Sequence, residues 1–126
     1  MSDTAPPGLR LRLIFGEDAM IGPGKADLLE LVKETGSISA AGRRMGMSYR
    51  RAWGLIDTLN TIFGAPLVER TRGGASGGGA TLTDRGEKVL AHYRSLEARA
   101  RAAGAEDIAA IEAMLDASPT VMSGEK

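Results

Sequence analysis

A mainly α-helical domain with a small β-hairpin, followed by one long helix, is what the 126 residues predict, on three observations. Capped amphipathic segments succeed one another from Ala26 to Phe63. A Gly-rich stretch, Gly73 to Ala80, separates two short extended segments. From Thr83 to Ala103 a helical pattern runs without interruption.

Leu9 to Phe15 alternates Leu with Arg before Ile14 and Phe15, a period of two that predicts a half-buried strand with Leu9, Leu11, Leu13 and Phe15 inward. Gly22-Pro23-Gly24 punctuates the chain. Leu28, Leu29, Leu31 and Val32 then make Ala26 to Thr35 an amphipathic helix that Gly36 ends. Ser37 can cap the next helix by accepting from an early backbone N–H, which puts Ile38, Ala41 and Met45 on one face. Gly46 can take the left-handed conformation that stops this helix after about two turns. Met47 plugs the corner and Ser48 caps a third helix. On it Ala52, Leu55, Ile56, Leu59, Ile62 and Phe63 recur at helical spacing, leaving Tyr49, Arg50 and Arg51 at its start. Ala40, Ala41 and Ala52 are small enough for two helices to cross steeply.

Gly64-Ala65-Pro66 stops the third helix. Leu67 to Thr71 and Ala80 to Leu82 are strand candidates that the Gly-rich loop joins into a hairpin, with Arg70 and Arg72 at its stem or tip. Strand, three helices and hairpin, in that order, is the arrangement of a winged helix-turn-helix. In such folds the N-terminal residues of the second helix of the motif reach base edges. The long C-terminal helix starts with Thr83 as cap and Asp84 at its positive end. Its stripe of Val89, Tyr93, Leu96, Ala100 and Ala103 predicts pairing between subunits, and Ile108, Ile111 and Leu115 mark a further helix expected on the same assembly. The expected organisation is residues 1–8 as a disordered N-terminal tail, 9–82 as a DNA-binding domain, 83–116 as C-terminal helices forming the dimer interface and 117–126 as a disordered tail.

With 43% hydrophobic and 25% charged residues the chain suits one domain with an adequate core. It has no cysteine, which excludes disulfides and thiolate metal sites. No apolar run approaches the ~18 residues of a membrane span, and Met1 to Gly8 is polar and Pro-rich, so a cytoplasmic protein without membrane contact is expected. Net charge is zero, yet it is unevenly sorted. From Gly42 to Arg72 six arginines (Arg43, Arg44, Arg50, Arg51, Arg70 and Arg72) face only Asp57 and Glu69, a local excess of four positive charges. A basic face on an otherwise acidic chain orients it toward phosphate without binding it to every polyanion. Arginine also suits bidentate contacts to guanine or phosphate better than lysine does.

Several separate motifs resemble, in order and at the expected spacing, the N-terminal domain of the ModE family of molybdenum-responsive transcriptional regulators. They are Met47-Ser48-Tyr49 followed by Ala52-Trp53, Gly73-Gly74, Gly77-Gly78-Gly79-Ala80, and Leu82-Thr83 with Gly86. The likeness spans roughly Leu9 to Leu96. A looser similarity to LysR-type regulators lies in Ala40-Ala41, Leu67, Arg70 and the Leu-Thr-x-x-Gly close. The resemblance implies a homodimer on double-stranded DNA. Full-length ModE proteins continue into molybdate-binding β-barrels that nothing after Arg99 resembles, so no cofactor is expected here.

Other signals are weaker. Gly74-Ala75-Ser76-Gly77-Gly78 matches a nucleophile-elbow pattern only because the run is Gly-rich. His92 has no second His or Cys with which to hold zinc, and the Gly-rich loop lacks the Lys of a nucleotide-binding loop. No enzyme is expected. The leading reading is a sequence-specific transcriptional regulator, a dimer reading a palindromic operator, with Tyr49, Arg50 and Arg51 facing bases. Ser37, Ser39, Ser48, Arg70, Thr71 and Arg72 would hold phosphates, and Trp53 would pack or touch phosphate rather than read a base. Two alternatives stand beside it: a winged-helix module working with a separate effector-sensing protein, and a small molybdate- or oxyanion-binding protein.

Overall fold

Side-chain caps set the helix starts. In the computed structural model, which describes residues 8–71 and 79–115, Ser37 Oγ accepts from Ala40 N–H at the start of α2 (Ile38–Arg44). Ser48 Oγ accepts from Arg51 N–H at the start of α3 (Tyr49–Phe63), and Thr83 Oγ1 from Gly86 N–H at the start of α4 (Asp84–Ala103). Each satisfies a backbone donor that has no intrahelical partner. The first helix, α1 (Pro23–Thr35), begins ahead of Ala26 because Pro23 fits the first helical position, where no N–H is needed. Gly36, Gly46 and Gly64 follow α1, α2 and α3 in the left-handed conformation, with φ of 71°, 72° and 66°.

The helices cross at their smallest residues. Ala41 and Ala52 are fully buried between α2 and α3. A Cβ on Gly42 would stand 3.0 Å from that of Ala52, so this glycine sets how closely the two helices approach. Leu28, Leu29 and Val32 of α1, Ile56 and Leu59 of α3, and Leu67 complete the core.

Two antiparallel hairpins flank the helices. The wing pairs β3 (Val68–Thr71) with β4 (Gly79–Leu82) in the register Val68 to Leu82 and Thr71 to Gly79. Ala80 N–H donates to Gly36 O, and Leu67 N–H to Asn60 Oδ1, which moors the wing to the ends of α1 and α3. Of the expected Gly-rich stretch Gly73 to Ala80, Gly79 and Ala80 belong to β4; Arg72, residues 73–78, residues 1–7 of the expected N-terminal tail and the expected tail 117–126 lie outside the described residues.

The first hairpin corrects the sequence reading. The strand expected over Leu9–Phe15 is only β1 (Leu13–Gly16), paired with an unexpected β2 (Ala19–Ile21) across a turn that holds Asp18 at φ 59°. Leu9 and Leu11 are half-buried but not in a strand, and Leu13 and Phe15 are exposed rather than inward. The three-residue β2 cannot pair more of β1, and among the described residues no layer covers that face. Phe15 meets Phe63 edge-on at 5.9 Å between ring centres and ties the hairpin to the end of α3.

The helix α4 also differs from expectation. Gly86, Leu90, Tyr93 and Glu97 form its buried face, while Leu96 and Ala103 are exposed and Val89 and Ala100 partly so. Tyr93 therefore belongs to the chain's own core, and its hydroxyl donates to Leu11 O at 2.6 Å. The reason is a choice of step: 86, 90, 93 and 97 share one face, and 89, 92 and 96 lie a residue away. Arg94 spans from α4 to α1 with hydrogen bonds to Asp27 (2.8 Å), Glu30 (2.9 Å) and Glu97 (3.0 Å). Burial alone would lower its proton affinity. The bonds to the three carboxylates outweigh burial and raise it above the ordinary arginine range. A last helix, α5 (Ala105–Glu112), continues from α4 with no residue buried.

Candidate nucleic-acid interface

The caps that start α2 and α3 fix the position of the residues around them. Tyr49, Arg50 and Arg51 occupy the first turn of α3 and are all exposed. The side chains of Arg50 and Arg51 make no hydrogen bond or ion pair among the described residues, so their guanidinium donors face outward unspent. Ser48 is exposed beside them with its oxygen committed to the cap; its hydroxyl proton stays available to an acceptor. Ser37 is used likewise. On α2, Ser39 Oγ accepts from Arg43 at 3.1 Å, holding that arginine on the exposed surface, and Arg44 lies 3.6 Å from Glu34.

The wing reaches this surface through Arg70. Its guanidinium lies 4.5 Å from the centre of the Trp53 ring and donates to Tyr49 Oη at 2.8 Å. One arginine of β3 thus spans the first two turns of α3. Trp53 is partly buried and packs against the core, so its outer face serves Arg70. Tyr49, 47% exposed, accepts from Arg70 and keeps its own proton to donate. Thr71 is exposed at the end of β3, opposite Gly79. Arg72 lies outside the described residues. Of the other residues singled out in the sequence, Tyr49, Trp53 and Arg70 are in mutual contact, and Ser48, Arg50 and Arg51 adjoin them on the same turn. Ser37 and Ser39 belong to the start of α2.

Two features escaped sequence reasoning. Gly54 is exposed in the second turn of α3, and a Cβ there would meet nothing within 4 Å among the described residues. It lies four residues beyond Arg50, on the same helix face. The Arg70 tether joins residues 21 apart in sequence, and only the order of elements could have brought them near.

Exposed arginines on the second helix of a capped helix-turn-helix, with a basic wing strand tethered beside it, define a class: winged-helix nucleic-acid-binding proteins. The family described as bacterial regulatory helix-turn-helix protein, lysR family, matches residues 25–87, half of the chain, and the chain belongs to that family. It is 45% identical over 80 residues to the molybdenum-pterin-binding protein MopB of Rhodobacter capsulatus, covering 64% of this chain and 30% of that protein. With the molybdenum transport protein ModE of Azotobacter vinelandii it shares 43% identity over 84 residues, 64% of this chain and 31% of the relative. The DNA-binding transcriptional dual regulator ModE of Escherichia coli K12 is 39% identical over 83 residues, 66% and 32%. The chain thus spans less than a third of each of these relatives. In fold it is similar to the crystal structure of a LysR family transcriptional regulator, with a TM-score of 0.51 at 20% identity, covering 66% of this chain and 27% of that one.

Proposed function

We propose that this chain is a sequence-specific DNA-binding transcriptional regulator that acts as a homodimer on a palindromic operator. One observation carries the reading: Arg50 and Arg51 stand exposed and, among the described residues, unpaired on the first turn of α3, where a helix-turn-helix meets base edges. In this reading Tyr49, Arg50 and Arg51 face bases. Ser37, Ser39, Ser48, Thr71 and Arg72 hold phosphates, and Arg70 shares that task while bracing the wing. Trp53 packs beneath Arg70 and reads no base. The partners are double-stranded DNA and a second copy of the chain, in the cytoplasm, and the role is regulatory rather than catalytic.

Its relatives' names connect them with molybdenum, which supports a place in molybdenum-linked regulation. Among the described residues no group of His, Cys, Asp or Glu is arranged to hold a metal ion. We propose that the described residues serve DNA binding rather than the binding of molybdate or another cofactor; a winged-helix module working with a separate effector-sensing protein is the alternative reading. Selection of bound duplexes from a random pool, with and without molybdate, tests the whole reading. A symmetric enriched site supports it; recovery of random sequence overturns it. Arg50→Ala should cost about 1 to 3 kcal/mol and relax preference at one base position, whereas Arg72→Ala should weaken all sequences alike. Calorimetry that finds one molybdate per chain would reverse the effector assignment.

A further inference from the structure

Arg70 faces α3 because of its place in the wing ladder. Side chains alternate along a strand, so Arg70 shares a face with Val68, two residues earlier. That face is the inner one: Val68 is buried opposite Leu82, and Arg70 is paired with Ala80, itself buried. Glu69 and Thr71 lie on the opposite face and are exposed. From the inner face the Arg70 guanidinium reaches the Trp53 ring at 4.5 Å and donates to Tyr49 Oη at 2.8 Å. Tyr49 and Trp53 stand four residues apart on one side of α3, and Trp53 packs against the core, so the platform beneath Arg70 is fixed. Among the described residues no carboxylate pairs with Arg70, and its charge acts undiminished on the phenol.

This cation decides what the Tyr49 hydroxyl can do. A phenol has one proton to give and accepts on the same oxygen. Here a charged donor occupies that oxygen, and one of its lone pairs is drawn into the ring. A second donor would meet little electron density, and the Arg70 charge as well. The hydroxyl proton is turned away from Arg70. Tyr49, with 47% of its surface open, is thereby a donor in need of an acceptor.

We propose that Tyr49 excludes cytosine at one position of the site it reads, and that Arg70 is the positioning residue that fixes the polarity of its hydroxyl. This rests on the DNA-binding reading above and names the chemistry of one of its base contacts. In the major groove guanine offers N7 and O6, adenine N7 and thymine O4, all acceptors, whereas cytosine presents its N4 amino group, a donor. A tyrosine hydroxyl free to turn would accept from that amino group and tolerate all four bases. Held by Arg70, it meets cytosine donor to donor, and the Arg70 charge adds repulsion. Because Arg70 and Trp53 order the phenol before DNA arrives, less rotamer freedom is lost there on binding.

Selection from random duplexes with the full chain, followed by competition among the four bases at each position, tests the assignment. The unmodified chain should disfavour cytosine by about tenfold at one position. Tyr49→Phe should bring cytosine level with the other bases there. Arg70→Met keeps an unbranched stem over Trp53 but removes every donor, and should reduce the cytosine penalty at that same position to about twofold or less. Arg70→Lys keeps a cationic donor and should retain most of the penalty. The double variant Tyr49→Phe with Arg70→Met should show no change in the cytosine penalty beyond that of Tyr49→Phe, since the two residues act as one unit. A loss of affinity in Arg70→Met that is equal for all four bases would assign Arg70 to phosphate or to folding and overturn its positioning role. Uniformly weaker binding by Tyr49→Phe, with the base profile unchanged, would put the hydroxyl on a phosphate and overturn the proposal while leaving the DNA-binding reading intact. Recovery of random sequence by the unmodified chain would overturn both.

Discussion

Gly54 illustrates how one residue can be explained by what lies outside the chain. A glycine inside a helix costs about 1 kcal/mol relative to alanine, and nothing in the packing asks for one here, in contrast to Gly42, where a side chain would press on Ala52. Its position four residues beyond Arg50 puts a bare stretch of helix on the face proposed to meet DNA. Gly54→Ala should therefore raise the urea midpoint by the equivalent of about 0.5 to 1 kcal/mol. If the duplex approaches this surface, the same change should weaken binding to the selected site by about tenfold, or ~1.4 kcal/mol. A stabler protein of unchanged affinity would place the DNA elsewhere. Gly86 gives the opposite case. Its missing Cβ would run into the Leu67 carbonyl, so Gly86→Ala should destabilise by about 1 to 3 kcal/mol as α4 is forced from the wing.

Among the elements, those built by local rules were legible in the sequence. The caps of α2, α3 and α4 are Ser37, Ser48 and Thr83 as the pattern implies, and the left-handed glycines end helices where periodicity lapses. The short β2 was not legible, since three residues carry no period. The face of α4 was misjudged because steps of three and four from Val89 reach Tyr93 as readily as Leu96, and only the partner surface decides which is buried. The arginines at the start of α3 could be read from position alone; the contact of Arg70 with Trp53 and Tyr49 depends on how the wing folds over. Burial, with the nearby Glu97, raises the Tyr93 pKa above the usual tyrosine value. The folded state thus prefers the protonated phenol. Its contribution is intact below about pH 10 and is lost as pH rises through the folded pKa. Thermal melts should show this alkaline loss, and Tyr93→Phe should remove it while costing about 1 kcal/mol at neutral pH through the bond to Leu11.

Across the whole molecule, the proposed reading surface and the C-terminal helices expected to pair in the dimer are different elements, so their relative orientation must be held for two half-sites to be met together. The Arg94 cluster does this, clamping α4 to α1 through Asp27 and Glu30 while neutralising Glu97, whose side chain is only 7% exposed. Lys33 and Glu87 add a second pair at 2.8 Å between the same helices, half-exposed and worth little alone. Removing Arg94 leaves Glu97, among the described residues, with Arg101 at 3.8 Å as its remaining cation. The cost should be about 2 to 3 kcal/mol, below that of a fully buried pair because a third of the Arg94 side chain is exposed. The functional consequence should be larger than this loss of stability. One base pair added between half-sites rotates them by about 35° relative to each other, which a rigid dimer resists and a loosened one follows. Arg94→Gln should therefore bind a single half-site as the unmodified chain does, yet discriminate less between the selected operator and versions with one base pair inserted or removed at its centre. Competition binding across such a spacer series separates the two effects. Equal spacer penalties in both proteins would show that α1 and α4 hold their angle through packing of Tyr93, Leu90 and Gly86 alone.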